Sequence, residues 1–274
     1  MNPELKKKGK EPIDSQFSFY PPRKILRRMG LVNDQDGIYR RYQQEQGEWK
    51  LHLSNTKKFI IECLEKSKIH DVAILGSGWM LDIPVDFLAE RFERVVYYDI
   101  RHPVFIQNKF KEQKNFHFVS IDLTGGLILK VYRMFTGRKK PSESELPNEL
   151  ILPKFQLPEP ADFVVSVNML NQLDIFIIDY IRRYVKMSGK TEQNLRKKIQ
   201  ETHLKLLPVG SSCLITDYEE VHLDDDDMII GKYPLVHSTL PAGKYRKTWT
   251  WNFDTRKTYH QNHKTYMNVV AIKM

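Results

Sequence analysis

Residues 71–99, DVAILGSGWMLDIPVDFLAERFERVVYYD, decide how the rest of this chain is read. Val72-Ala-Ile-Leu75 is a short apolar run of the kind that suits a buried parallel strand, and Gly76-Ser-Gly78 breaks the pattern at its end. Asp82-Ile-Pro84 is a helix-start signal, and Leu81, Val85, Leu88, Ala89 and Phe92 recur at helical spacing. A second apolar run, Val95-Val-Tyr-Tyr98, ends on Asp99. The order is strand, glycine turn, helix, strand, terminal acid.

That order favours an adenosine-bearing cofactor on physical grounds. Two glycines let the backbone turn sharply and approach a ligand with no Cβ in the way. The helix behind them points free N–H groups at the ligand. An acid at the tip of the second strand, 21 residues after Gly78, can accept both hydroxyls of a ribose.

Working outward, the N-terminal side reads as an extension. Residues 1–35 are polar, irregular and proline-bearing (Pro12, Pro21, Pro22), with an aromatic cluster at Phe17, Phe19 and Tyr20 that suits a lid or arm. From Asp36 to Lys66 the pattern turns helical. Gly47-Glu-Trp49 separates a helix holding Tyr39 and Tyr42 from one capped by Ser54, which buries Phe59, Ile60, Cys63 and Leu64. The expected division is an extension over 1–50 and a cofactor-binding domain over 51–274.

On the C-terminal side, strands and helices alternate. Strands are expected at 94–98, 116–121, 161–167 and 211–216, with helices over 103–113, 125–135, 174–187 and 191–207 between them. Residues 137–160, rich in Lys, Glu, Ser and Pro, read as a long loop, and 219–244, with Asp224 to Asp227, as loop-rich. Two late strands, about 245–253 and 265–273, have only a polar turn between them and so must be antiparallel to each other. The expected fold is α/β: a doubly wound, mostly parallel seven-stranded sheet with an antiparallel C-terminal hairpin, plus an N-terminal helical extension.

Composition narrows the class. The chain has 274 residues, 41% of them hydrophobic, enough for one large domain with an appendage. No apolar run approaches the roughly 20 residues of a membrane helix, and the charged start MNPELKKKGKEP is not read as a signal peptide. Cys63 and Cys213, far apart in apolar contexts, read as reduced core residues of a cytoplasmic protein. The net charge is +9, much of it near the start (Lys6, Lys7, Lys8, Lys10, Arg23, Lys24, Arg27, Arg28, Arg40, Arg41), and reads first as a solvated leader and second as a nucleic-acid footprint. Oligomeric state is not legible.

These residues, in this order, resemble the class I S-adenosylmethionine-dependent methyltransferases over about residues 55–274. Ile74-Leu-Gly76-Ser-Gly78 is similar to that family's first motif, under the methionine part of the cofactor. Asp99 matches its ribose-binding acid, Asp122-Leu123 its adenine-flanking pair, 162–168 its fourth-strand motif, and Leu206-Leu-Pro-Val-Gly210 the turn before its fifth strand. Ile74 stands where an acid is common, and Met80 where a third glycine is. A nicotinamide dehydrogenase fits less well, because Leu81 occupies the position of its third glycine.

The resemblance implies S-adenosyl-L-methionine as cofactor, held by Gly76, Ser77, Gly78, Trp79, Asp99, Ile100, Asp122, Leu123 and Asn168. Near the methyl group or the acceptor it places Asn168, with helix capping as that residue's structural alternative, and Asp217 and Tyr218. His102 reads as packing at a helix start. His260 and His263 lack the cysteine or nearby acid of a tetrahedral site, and Asp224 to Asp227 lacks the turn of a calcium loop, so no metal is expected. The methyl acceptor, small molecule or protein, is not named by the sequence. An RNA methyltransferase using the basic leader, and a non-catalytic binding or assembly domain, stay open as alternatives. Against an amino-methylating DNA enzyme stands Asn168-Met-Leu-Asn171, which lacks the Pro-Pro-aromatic ending of that motif.

Overall fold

In the computed structural model, described for residues 20–65, 68–150 and 155–274, three helices lead into the sheet: α1 (Arg23–Met29), α2 (Leu31–Gln44) and α3 (Gln46–Leu64). The stretch expected to be irregular is therefore helical from Arg23, and Phe17, Phe19 and the first lysines lie outside the described residues. Gly30, at φ 99°, ends α1 in the left-handed conformation that glycine tolerates and starts α2. Ser54 is not a cap. It lies inside α3, whose N-terminus falls at Glu45, and Gly47 is helical too. Buried Glu45 accepts the N–H groups of Thr255 and Arg256, each at 3.0 Å, which ties the helix junction to the far end of the chain. The expected division at residue 50 falls inside α3.

The chain then alternates: β1 (Asp71–Leu75), α4 (Val85–Arg91), β2 (Arg94–Asp99), α5 (Val104–Lys109), β3 (Phe116–Ser120) and α6 (Leu127–Thr136). A single turn, α7 (Leu146–Glu149), interrupts the expected long loop, of which residues 151–154 lie outside the described residues. Next come β4 (Phe163–Val167), α8 (Gln172–Arg182) and α9 (Gly189–Leu204), the last capped by Ser188 Oγ on the Thr191 N–H at 3.3 Å. Four strands finish the chain: β5 (Ser212–Leu223), β6 (Ile229–Pro234), β7 (Tyr245–Asp254) and β8 (Lys264–Lys273).

Along the sheet the order is β3-β2-β1-β4-β5-β8-β7. Neighbours from β3 to β5 are parallel, while β8 is antiparallel to both β5 and β7. This is the doubly wound sheet with a closing hairpin that the alternation predicts, with one addition. An eighth strand, β6, pairs with Glu219–Leu223, on the length of β5 that runs beyond β4. Residues 219–234 are thus mostly strand rather than loop.

Side chains of the parallel strands point alternately into two cores. Ala73 and Leu75 join the one under α1, α6, α8 and α9, whereas Val72 and Ile74 join the one under α3, α4 and α5. Ile74 and Leu75 are both 0% exposed, a burial worth about 1.5–3 kcal/mol each. Cys63 and Cys213, distant in sequence, are free thiols side by side in the second core; burial pushes Cys213 well above the ordinary thiol value, and Cys63 adds to the effect. Among the described residues no helix is long and apolar enough to cross a membrane.

Candidate functional site

Strand order reverses between β1 and β4, and an open sheet binds ligands at such a point, off the carboxyl ends of its strands. A cavity of about 650 Å³ lies there. Gly76, Ser77, Gly78, Trp79, Asp99, Ile100, Asp122, Leu123, Asn168 and Asp217 all line it, so the structure brings together every expected site residue but one. The exception is Tyr218. At a bulge between Asp217 and Glu219 an extra residue is inserted, and Tyr218 packs against the core under α1, α6, α8 and α9 without lining the cavity. The same bulge lets Asp217 and Glu220, three apart, both face the cavity.

The glycine turn leaves β1 with Gly76 at φ 88° and Gly78 at φ 39°. A Cβ on Gly76 would lie 2.4 Å from the Val167 carbonyl oxygen and 2.2 Å from Met169 Cγ, so no other residue fits. Met80 keeps a positive φ of 55° despite its side chain. The backbone therefore makes the turn that a glycine would allow, at a strain of about 1–3 kcal/mol. Ile74 is core, and Asp82, read from the sequence as part of a helix start, lines the cavity.

Asp99 receives the Gly78 N–H at 2.8 Å on one oxygen, and Gln35 Nε2 at 3.2 Å and the Arg101 N–H at 3.3 Å on the other. Burial raises its pKa, partly offset by His102. His102 packs beneath the turn as expected, its ring 3.4 Å from Ser77 Oγ and 3.2 Å from the Val119 carbonyl. Trp79 turns away toward α2, stacking on Tyr39 at 4.2 Å and donating to the Gln35 carbonyl at 2.8 Å. Asp122 accepts the N–H groups of Thr124 at 2.9 Å and Ile128 at 3.1 Å, so its carboxylate braces the start of α6 while Leu123 and Ile100 give the cavity an apolar slot.

Two carboxyl–amide pairs face each other across β4 and β5. Asn168, at φ 50°, donates to Asp82 at 2.9 Å, and Asn171 donates to Asp217 at 2.8 Å. Asn168 does not cap a helix, since α8 begins at Gln172 behind Asn171. Burial pushes the Asp82, Asp122 and Asp217 carboxyls up to about 6 each. Oδ1 of Asn168, of Asn171 and of Asp217 are buried and find no partner among the described residues. All three are acceptors turned away from the open space of the cavity, and a buried acceptor left unmet costs about 1–3 kcal/mol.

Charge tells the same story. Among the described residues, Asp34, Asp82, Asp99, Asp122, Asp179, Asp217 and Glu220 line the cavity against Arg40 and Arg41 alone. An acidic cavity thus sits inside a chain of net charge +9. At the far end the wall turns aromatic with Trp49, Trp251, Phe253 and Tyr259, and the Arg41 guanidinium lies 4.7 Å and 4.8 Å from the last two rings. His52 stacks on Trp251 at 3.9 Å and is held neutral, its pKa lowered to about 3 by burial.

His260 and His263, where the sequence predicted no metal, gain neighbours in the folded chain. With β5 extended to Leu223, Glu220 and His222 arrive beside them, neighbours that the sequence places about 40 residues away.

No family model matches the chain, and no curated protein matches it. Among solved structures the chain is similar to the N-methyltransferase NodS from Bradyrhizobium japonicum WM9 in complex with S-adenosyl-L-homocysteine (11% identity, 85% of this chain and 97% of that one, TM-score 0.38). It is also similar to DhpI in complex with SAH (12%, 92% and 98%, 0.40) and to an S-adenosylmethionine-dependent methyltransferase from Clostridium acetobutylicum ATCC 824 (12%, 89% and 100%, 0.36). The strand order and the closing hairpin, rather than likenesses this distant, carry the fold assignment.

Proposed function

We propose that the chain is an S-adenosylmethionine-dependent methyltransferase acting on a small acceptor that presents N–H or O–H donors. The observation that carries this reading is the set of seven carboxyl side chains, two of them paired with Asn168 and Asn171, that line the cavity at the carboxyl ends of the strands. It calls for a cationic, donor-rich ligand. S-adenosylmethionine supplies an electrophilic methyl group on a positively charged sulfur, beside an ammonium group.

Each residue then has a task. The Gly76–Gly78 turn lets the backbone close on the ligand. Asp99 accepts the ribose hydroxyls, one of them in place of the Gln35 amide, and Ile100 and Leu123 hold the purine. Asp82, oriented by Asn168, receives the ammonium group. Asp217, oriented by Asn171, faces the acceptor; ionised at neutral pH from a value of about 6, it orients the donor hydrogen or takes the proton. Enclosure by α2 and α3 keeps water from the line of transfer. Tyr218 has no part in this.

The acidic wall gives no support to an RNA acceptor, whose phosphates it would repel. Nor do Ile74 and Met80 support a non-catalytic domain, because Asp82 restores the acid and Met80 still makes the turn. Calorimetric titration tests the reading. S-adenosylmethionine should bind the full chain, and Asp99→Ala should cost about 1.5–3 kcal/mol, roughly 10–150-fold in Kd. No binding at millimolar ligand, or equal affinity in the variant, would refute it.

A further inference from the structure

The turn between β7 and β8 lays His260 and His263 over the outer end of β5, where Glu220 and His222 stand on one face, two residues apart. One ring nitrogen each of His222, His260 and His263 lies within 4.8 Å of the other two. The His222 and His263 rings stack at 3.9 Å, and the His260 and His263 rings at 4.8 Å. Glu220 Oε1 sits 2.5 Å from His222 Nε2 and 2.8 Å from His260 Nε2. His263 Nε2 is buried and has no partner among the described residues.

Three protonated imidazoles at such distances would repel one another, and a single carboxylate offsets only part of that. A neutral imidazole keeps one N–H and one lone pair, so Glu220 can accept from His222 and His260, while buried His263 Nε2 has no partner among the described residues. The nearby lysines are committed elsewhere, Lys257 to Asp225 and Lys264 to Asp227. Tyr233 and Tyr259 close the sides, their rings 4.6 Å from His222 and 4.4 Å from His260.

We propose that His222, His260 and His263, with Glu220 as the neutralising carboxylate, bind one divalent transition-metal ion of the zinc class. Imidazole with one carboxylate suits zinc and its neighbours, whereas magnesium and calcium prefer oxygen donors. Metal–nitrogen bonds near 2.0–2.1 Å put tetrahedral ligand atoms about 3.4 Å apart. The widest separation, 4.8 Å, must therefore shorten, and the stacked rings must rotate to aim their in-plane lone pairs at one point, a movement of the His260 and His263 side chains on the turn against His222 on β5. Glu220 and Tyr259 also line the cavity, so the ion would fix the turn over 255–263 against β5 and set the cavity's aromatic end. The proposal does not depend on methyl transfer.

The test uses the full chain, stripped with chelator and titrated with Zn²⁺ and with Co²⁺ as a spectroscopic probe. One ion per chain should bind, with the visible absorption of tetrahedral Co²⁺. Glu220→Gln should weaken binding about 10–100-fold, and His263→Ala should weaken it more than that. Circular dichroism verifies that the variants fold, and His260→Ala gives a second readout from the same exposed turn. Zn²⁺ binding unchanged in both histidine variants would overturn the proposal, as would a stripped chain that takes up no Zn²⁺ at equimolar metal. Uptake of Mg²⁺ in preference to Zn²⁺ would overturn the assignment of class.

Discussion

Asp82 and Asp217 each keep an acid in the cavity wall at a value raised to about 6 by burial. An acid raised above its unfolded value near 3.9 binds more protons folded than unfolded. Its contribution to stability is therefore greatest below about pH 4, declines as pH rises through 6, and is level above that. A cationic ligand favours the ionised carboxylates, so its affinity should run the other way. S-adenosylmethionine should bind more tightly at pH 7.5 than at pH 5, with protons released on binding near pH 5.5; calorimetry in two buffers of different ionisation enthalpy reads both. A Kd that stays flat over this range contradicts the acidic wall. Tyr218 provides a second check, since it does not line the cavity. Tyr218→Phe should leave turnover unchanged, and a tenfold fall in kcat would return it to the site. Asp99, Asp122 and Asn168 were legible because each ends an apolar run, but Asp82 was not. Its partner Asn168 lies 86 residues on, and only the β1–β4 pairing brings the two together.

At the scale of elements, α2 and β5 shape the cavity. Helix α2 is pinned to the glycine turn by the Gln35 amide on Asp99 and on the Arg101 carbonyl at 2.7 Å, by Trp79 on the Gln35 carbonyl, and by the Arg101–Asp36 ion pair at 2.7 Å. If a ribose replaces the amide on Asp99, the helix must hold its place through the remaining contacts and the ligand. Hydrogen exchange should accordingly slow in the amides of α2 when S-adenosylhomocysteine is added. Unaltered exchange there, with slowed exchange in the turn over 76–80, would mean that α2 is no wall of the bound site. Pattern reading found α2 only in part, because Pro21, Pro22 and the crowded charges hide a weakly amphipathic stretch. It missed the outer half of β5 for a similar reason. Glu219 and Glu220, followed by the acidic turn Asp224 to Asp227, look like loop, and only β6 and β8 on either side make 219–223 a strand.

Taken whole, the molecule separates its charges: a basic surface around an acidic, half-aromatic cavity. Alternating apolar runs and helical stretches made the doubly wound sheet and its antiparallel ending legible, since the central parallel strands β1, β2 and β4 are buried on both faces and so are largely apolar. The cavity's sign was not legible, because its acids come from α2, the β1–α4 turn, the end of β2, the loop after β3, α8 and β5, and mix in the sequence with a larger number of lysines and arginines. The most direct measurement is a crystal structure of the full chain with S-adenosylhomocysteine. The adenosine should lie on Asp99 with its purine between Ile100 and Leu123, and the homocysteine amine should reach Asp82 and Asn168 over Gly76. A ligand bound anywhere else, or a cavity that stays empty at saturating concentration, would contradict the account.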